Sequence, residues 1–401
     1  MKRIALVLVM VCLLLSGCGS WMEGNYVSIT PYMSADDSDG QDIQWISNKE
    51  QLFDAVRYMV SNGETDELFF VRDYQESAMN TDKWVVRYNI MNNDPLGAYS
   101  VQDIQFESGV NGVRSTLAVK IEYSRQKSEI LRMKTLSEIE DVKSALAVAL
   151  GGMQTELVFY MEGYQDTDFA QMVENYAREN PDEVVEIPRV GVSLYPDSGE
   201  NRVVELSFSY QTDRDSLRIM QSHVQQIFES AKLYVSGVEE NEVILSRLYV
   251  FLTGGIDVNR IMGQNSGSSI TPAYSLLRYG IGDSKAFATV YAAMCRQVGV
   301  ECITVSGTRN GDAWFWNIVK DGDRYAHVDL IRCATAGYFH LRSDAQMDGY
   351  VWDYLAYPAC GDVYQPPKEE ETTTPQTETT EAATEETVPP ETDVTEPPAE
   401  E

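Results

Sequence analysis

Between residues 274 and 329 the sequence orders itself as a short approach, one helix and three strands, and this order restricts the fold more than any other stretch. Gly280, Gly282 and Asp283 interrupt the preceding pattern. From there Phe287, Val290, Tyr291, Met294 and Val298 recur at steps of three and four, the spacing of an amphipathic helix with one buried face. Gly299 stands where a left-handed C-cap is wanted. The β-rich runs 302–306, 315–319 and 325–330 follow, the last two joined through an Asp321-Gly322 turn.

Upstream, residues 46–235 carry the same series of elements twice. The pattern predicts a helix over 50–60, a strand over 67–72, a helix over 82–91 and strands over 101–106 and 116–123. It then predicts a helix over 136–150, a strand over 156–161, a helix over 168–179 stopped before Pro181, and strands over 190–195 and 203–210. Glu67-Leu68-Phe69-Phe70 echoes Glu156-Leu157-Val158-Phe159, and the interval from Tyr123 to Met133 echoes that from Tyr210 to Met220. Offsets of roughly ninety residues are those of two copies of one small α+β unit, 46–134 and 135–235. Neither copy holds a Gly-rich phosphate loop, a His/Cys cluster or a nucleophile beside a base, so binding or spacing is their expected role. Residues 217–252 read as strongly helical, and the Gly-rich connection 254–269 reads as a surface loop.

The two ends differ from the middle. Lys2 and Arg3 precede an apolar run that closes on Leu15-Ser16-Gly17-Cys18. This is the form of a secretory signal over 1–18, ending like a bacterial lipobox with Cys18 as the lipidated residue, followed by a polar lead-in over 19–45. The run is too short to span a bilayer. The expected localisation is extracytoplasmic, lipid-anchored to the outer face of the bacterial membrane. From Pro366 onward the Thr/Glu/Pro-rich tail sets twelve acids against one lysine and holds no aromatic residue, so it cannot offset the entropy of ordering and is expected to be disordered. A formal charge of -31 excludes a general nucleic-acid or anionic-lipid surface, while 43% hydrophobic residues suffice for packed cores in between.

Setting aside Cys12 and Cys18, four cysteines remain: Cys295, Cys302, Cys333 and Cys360. An extracytoplasmic location permits disulfides, and Cys333 with Cys360 is the first pair to test among three connectivities. No pair has zinc-type spacing, and neither a metal nor a cofactor is expected.

Three short motifs give the C-terminal third its chemistry: Gly282-Asp283-Ser284 before the helix, Trp314-Phe315-Trp316-Asn317 on the second strand, and His327-Val328-Asp329 on the third. In order and spacing this resembles the core of the transglutaminase-like superfamily, papain-like cysteine enzymes with the pattern Gly-x-Cys, His-x-Trp-Asn and Val-Asp. The resemblance implies an α+β chain with a transglutaminase-like domain over 236–365, preceded by the two repeat units. It continues through Tyr338-Phe339-His340-Leu341, Ser343-Asp344 and the aromatic-rich run 350–360. Carried over position by position, the nucleophile has become Ser284, the base has become Trp314, and only Asp329 remains.

Indole has no basic nitrogen, and a serine without a base is a weak nucleophile. Ser284, or Asp283, has instead the structural task of a helix N-cap. His327 is the one imaginable substitute base, two residues from Asp329 and on the same strand face, yet an acid beside a His orients it poorly. The leading expectation is therefore a non-catalytic binding or scaffold protein of the envelope, meeting a protein, a peptide or a glycan through Trp314, Trp316 and Asn317. Two indoles on one face could grip a ligand, or could fill the space a substrate once occupied. The alternative from another class is a hydrolase or transferase on peptide or isopeptide bonds with Ser284 as nucleophile.

Overall fold

The computed structural model describes residues 44–254 and 269–361. The signal and lipobox, most of the polar lead-in, most of the 254–269 connection and the acidic tail lie outside the described residues.

The first sheet is built from β1 (Trp45–Ile46), β2 (Asp66–Val71), β3 (Val101–Asn111) and β4 (Arg114–Tyr123) in the order β1-β2-β4-β3. Only the β1–β2 pairing is parallel. Helices α1 (Lys49–Asn62) and α2 (Glu76–Asn92) and the short α3 (Pro95–Ser100) cover it, and α4 (Lys127–Arg132) follows. Asn48 caps α1 by accepting from the Gln51 N–H, and Gly63 ends it in the left-handed region with φ 60°. Leu52, Val56, Met59 and Val60 of α1 close over Phe69, Leu117 and Val119 of the sheet. The helix expected over 82–91 starts six residues earlier, at Glu76, on a polar turn that carries little apolar signal.

The second sheet repeats that plan. Strands β5 (Lys134–Leu136), β6 (Glu156–Met161), β7 (Arg189–Tyr195) and β8 (Arg202–Ser209) run in the order β5-β6-β8-β7, again with only the first pairing parallel. Helices α5 (Ile139–Gly151) and α6 (Phe169–Glu179) pack Val142, Leu146, Phe169 and Val173 against Phe159, Val204 and Leu206. At the seam between the two units, the Arg125 guanidinium stacks 4.6 Å from the Tyr99 ring and donates to both Glu205 oxygens at 2.8 Å. Tyr99 and Tyr195 meet edge to face with ring centroids 5.4 Å apart, and the Tyr195 hydroxyl donates to the same carboxylate.

The long helical stretch resolves into α7 (Arg214–Tyr234) and α8 (Asn241–Thr253), separated where Gly237 takes φ 77°. Leu217, Val224 and Phe228 of α7 join the core built around the next helices, so by packing α7 goes with the C-terminal region. There α9 (Pro272–Tyr279) leads into α10 (Ser284–Gln297), and the antiparallel sheet of β9 (Cys302–Arg309), β10 (Asp312–Asp321), β11 (Arg324–Val328) and β12 (Tyr350–Trp352) has the order β11-β10-β9-β12. Between β11 and β12 lies α11 (Leu330–Ala336).

Two cores flank this sheet. Val290, Tyr291, Met294 and Cys295 of α10 pack on Val319 and Val328. On the opposite face Val305, Trp316, Ile318, Met347, Tyr350 and Trp352 form a second cluster. The wide indole of Trp316 lies so close to Gly307 that a Cβ there would meet the ring at 2.8 Å and the Val351 carbonyl oxygen at 2.3 Å; no side chain fits at that position.

The first disulfide to be tested does not form: Cys295, Cys302, Cys333 and Cys360 are all free thiols. Cys333 sits in the helical core with Sγ 3.8 Å from His340 Nδ1, whereas Cys360 lies in the aromatic cluster behind the sheet, so the two belong to different cores.

Candidate functional site

Helix α10 begins against the middle of the sheet. Its N-cap is Asp283, whose Oδ1 accepts from the Ala286 N–H at 2.9 Å, so capping falls to Asp283 and leaves Ser284 at the first helical position. Ser284 is 6% exposed, and its Oγ accepts from the Phe315 backbone N–H at 3.2 Å. The register explains this contact. Strand β11 pairs with β10 only as far as Val328 opposite Asn317, so the Phe315 N–H lies beyond the end of that ladder. Ser284 therefore touches a donor, and among the described residues no base approaches it.

Trp314 and Asp329 do meet. The indole Nε1–H donates to Asp329 Oδ2 at 2.8 Å. The same oxygen accepts from the Tyr350 hydroxyl at 2.5 Å and lies 3.6 Å from Arg309 Nη1, while Oδ1 accepts from the Arg332 N–H and so caps α11. With Asp329 at 1% exposure, this carboxylate is a fully enclosed acceptor for three hydrogen bonds. Tyr350 pays no proton to it: burial first, then the neighbouring Asp329 charge, holds the phenol well above its ordinary range. The donor side of an orienting interaction is thus present, but indole carries no acceptor with which to take a proton from Ser284.

His327 is excluded as the substitute base by its partners. It is completely buried; Nδ1 accepts from Trp316 Nε1–H at 2.9 Å, and Nε2 lies 2.8 Å from Asp344 Oδ1. Since the indole can only donate, Nδ1 is unprotonated and Nε2 carries the hydrogen toward Asp344. Burial, opposed by Asp344, holds the imidazole below its ordinary pKa. His327 lies within β11 whereas Asp329 follows the strand's end as the N-cap of α11, and their side chains serve separate networks.

Trp316 and Asn317 are likewise corrected as ligand-facing residues. Trp316 is 1% exposed, ringed by Tyr350 and Trp352 at 5.1 and 5.7 Å, and Asn317 is fully buried with Nδ2 donating to the Ala288 carbonyl at 2.9 Å. Only half-buried Trp314, with the Arg309 guanidinium 5.1 Å from its ring, and the adjacent half-buried Phe315, with Lys285 Nζ 5.5 Å from its ring, reach the surface. Lys285 also lines a small cavity of about 80 Å³ with Arg178, Glu174 and Thr271, and burial, then Arg178, holds its ammonium below the usual lysine range.

His327 Nε2, Asp344 and Cys360 Sγ gather within 4.8 Å of one another, which raises the question of a metal. The donor chemistry does not fit one. A ligating imidazole donates through its other nitrogen, whereas here that nitrogen accepts from Trp316. Asp344 Oδ2 already accepts from the Cys360 N–H at 3.0 Å, and burial pushes the Cys360 thiol up to about 12. A larger surface cavity, about 530 Å³ between α1 and α2, lies outside this region; its buried acid Asp94 is paired with Arg57 at 3.0 Å and with the Gly97 N–H.

Arg309, Tyr350, Asp344 and Lys285 carry much of this geometry and were not singled out from the sequence as site residues. Tyr350 and Asp344 stand in the closing segment that the resemblance covers, which is the signal that could have drawn attention to them.

The N-terminus of α10 thus abuts the antiparallel sheet, and Asp329, just past the end of β11, holds Trp314 on the neighbouring strand. Residues 231–352 match the transglutaminase-like superfamily, and the C-terminal region is a transglutaminase-like domain. Among solved structures, a transglutaminase is similar at 9% identity and TM-score 0.23, covering 49% of this chain and 58% of its own. A candidate cysteine protease from Cytophaga hutchinsonii is similar at 12% identity and TM-score 0.22, covering 49% of this chain and 73% of its own. This chain thus spans less than two thirds of the first of these. No curated protein matches it.

Proposed function

We propose that this chain is a lipid-anchored protein of the bacterial cell envelope whose transglutaminase-like domain binds a peptide, glycan or protein of the envelope without turning it over. The observation that carries this reading is the 2.8 Å bond from Trp314 Nε1–H to Asp329. It keeps the orienting acid occupied by a group that can only donate, and so removes proton transfer at the position where the family places its base. Ser284 Oγ facing a backbone N–H supports the same reading. Trp314 and Phe315, each beside a cation, supply the accessible contact surface.

Purified protein is expected to show no amide, ester or amine-transfer turnover above background, unchanged by Ser284→Ala. A rate that depends on Ser284 would overturn the reading in favour of a serine hydrolase. For the anchor, Cys18→Ser should shift the protein from the membrane to the soluble fraction or leave its precursor uncleaved; an unchanged distribution refutes anchoring.

A further inference from the structure

The neighbourhood of Asp329 holds more positive charge than the described residues neutralise. Arg309 lies at ion-pair distance from that carboxylate, but Arg332 and Arg342 form no ion pair among the described residues. Arg342 is 4% exposed, held by a two-bond backbone bridge to His327 at 2.8 and 2.9 Å. Its Nη2 lies 3.4 Å from His340 Nδ1, and its Nη1 is buried without an acceptor. Arg332, half-buried on α11 with its guanidinium 5.7 Å from the Tyr350 ring, also has a buried Nη1 without an acceptor.

The two side chains share one locality. His340 Nδ1 lies near Cys333 Sγ, the residue next to Arg332, and near Arg342 Nη2. Each guanidinium depresses the His340 imidazole, behind the effect of burial, and Arg332 depresses Arg342 in the same way.

Burying a cation without a counter-charge is among the more expensive arrangements in a folded protein. A water molecule can accept an N–H but adds no negative charge, and Asp329, the carboxylate whose field reaches Arg342, already lies at ion-pair distance from Arg309. The guanidinium fork fits a carboxylate or phosphate, and it keeps its charge under any working condition. We propose that Arg332 and Arg342 form an oxyanion site, with their Nη1 groups donating to a carboxylate or phosphate group of a ligand that enters beside the half-exposed Arg332. A net charge of -31 means that the protein's own field opposes anions, so capture depends on this local pair and not on general attraction. The site does not depend on whether Ser284 is catalytic.

The full chain in mild detergent is titrated with inorganic phosphate, acetate and chloride at matched ionic strength, following melting temperature. A saturable rise with phosphate or acetate that chloride does not reproduce is expected, and the apparent affinity should fall at least tenfold in Arg332→Gln, a half-exposed position where folding is retained. Arg342→Lys, which keeps the charge and loses the fork, should weaken the effect as well. A response to phosphate alone assigns a phosphorylated ligand, and a response to acetate alone a carboxylate. No saturable rise, an equal rise with chloride, or an unchanged affinity in Arg332→Gln overturns the proposal.

Discussion

Replacing Asp329 by alanine tests whether the surviving acid of the family pattern has become a structural anchor. The substitution removes the N-cap of α11, worth about 1 kcal/mol. It also strands the hydroxyl of Tyr350, which is 6% exposed, and the indole N–H of half-buried Trp314. A buried donor left without an acceptor costs ~1 to 3 kcal/mol, with Trp314 near the lower end because water can reach it. Arg309, whose side chain is 27% exposed, can turn to solvent and adds little. The expected loss is therefore about 3 to 5 kcal/mol for Asp329→Ala, and roughly 1 to 2 kcal/mol for Asp329→Asn, which keeps one acceptor oxygen. Urea unfolding followed by near-ultraviolet circular dichroism measures it. An acid retained only for chemistry is commonly neutral or destabilising where it stands, so a loss under about 1 kcal/mol for the alanine variant would refute the anchor.

Two further outcomes follow from the same networks. His327 and His340 are both held below their ordinary value near 6.5, chiefly by burial, so below that pH the unfolded chain binds more protons than the folded one. Stability should fall as pH drops from 7 toward 5, and His327→Gln should flatten that slope in urea midpoints taken across the range; an identical slope counts against the assignment. Restoring the family chemistry with Ser284→Cys and Trp314→His places an imidazole where Asp329 can orient it, and should speed alkylation of the introduced thiol by iodoacetamide at pH 6 about tenfold over Ser284→Cys alone, as read by peptide mass spectrometry.

Much of the architecture could be read in advance because periodicity and punctuation agree. The strand predicted at 156–161 is the observed β6, and Gly299 takes the left-handed conformation with φ 79° that its position suggested. The helix expected over 217–252 breaks because Gly237 sits at positive φ inside an otherwise continuous apolar pattern, a signal too local for a window of that length. What the site lacked in the sequence was partnership. Alternation gives the face of His327 but not that Trp316 and Asp344 occupy both of its nitrogens. Likewise, alternation places Trp316 beside Trp314 without telling that Gly307 and Tyr350 close over it. Spacing between Cys333 and Cys360 says nothing about the two separate cores into which their sulfurs point. Arg332 and Arg342 look in the sequence like ordinary surface cations, since nothing there shows which nitrogens end without an acceptor.

The seam at Arg125 makes the two repeated units thermodynamic neighbours. Its guanidinium reaches from the first unit to Glu205 of the second, and Tyr99 of the first meets Tyr195 of the second, so melting the second unit would strand a cation and an aromatic ring in the first, and melting the first would strand a carboxylate in the second. Coupling of this kind, carried by one interface between like modules, ties their openings into a single event, as nearest-neighbour terms do in longer repeat arrays. Amide protons of β4 and β8 would then exchange on a common clock, although the two strands belong to different sheets.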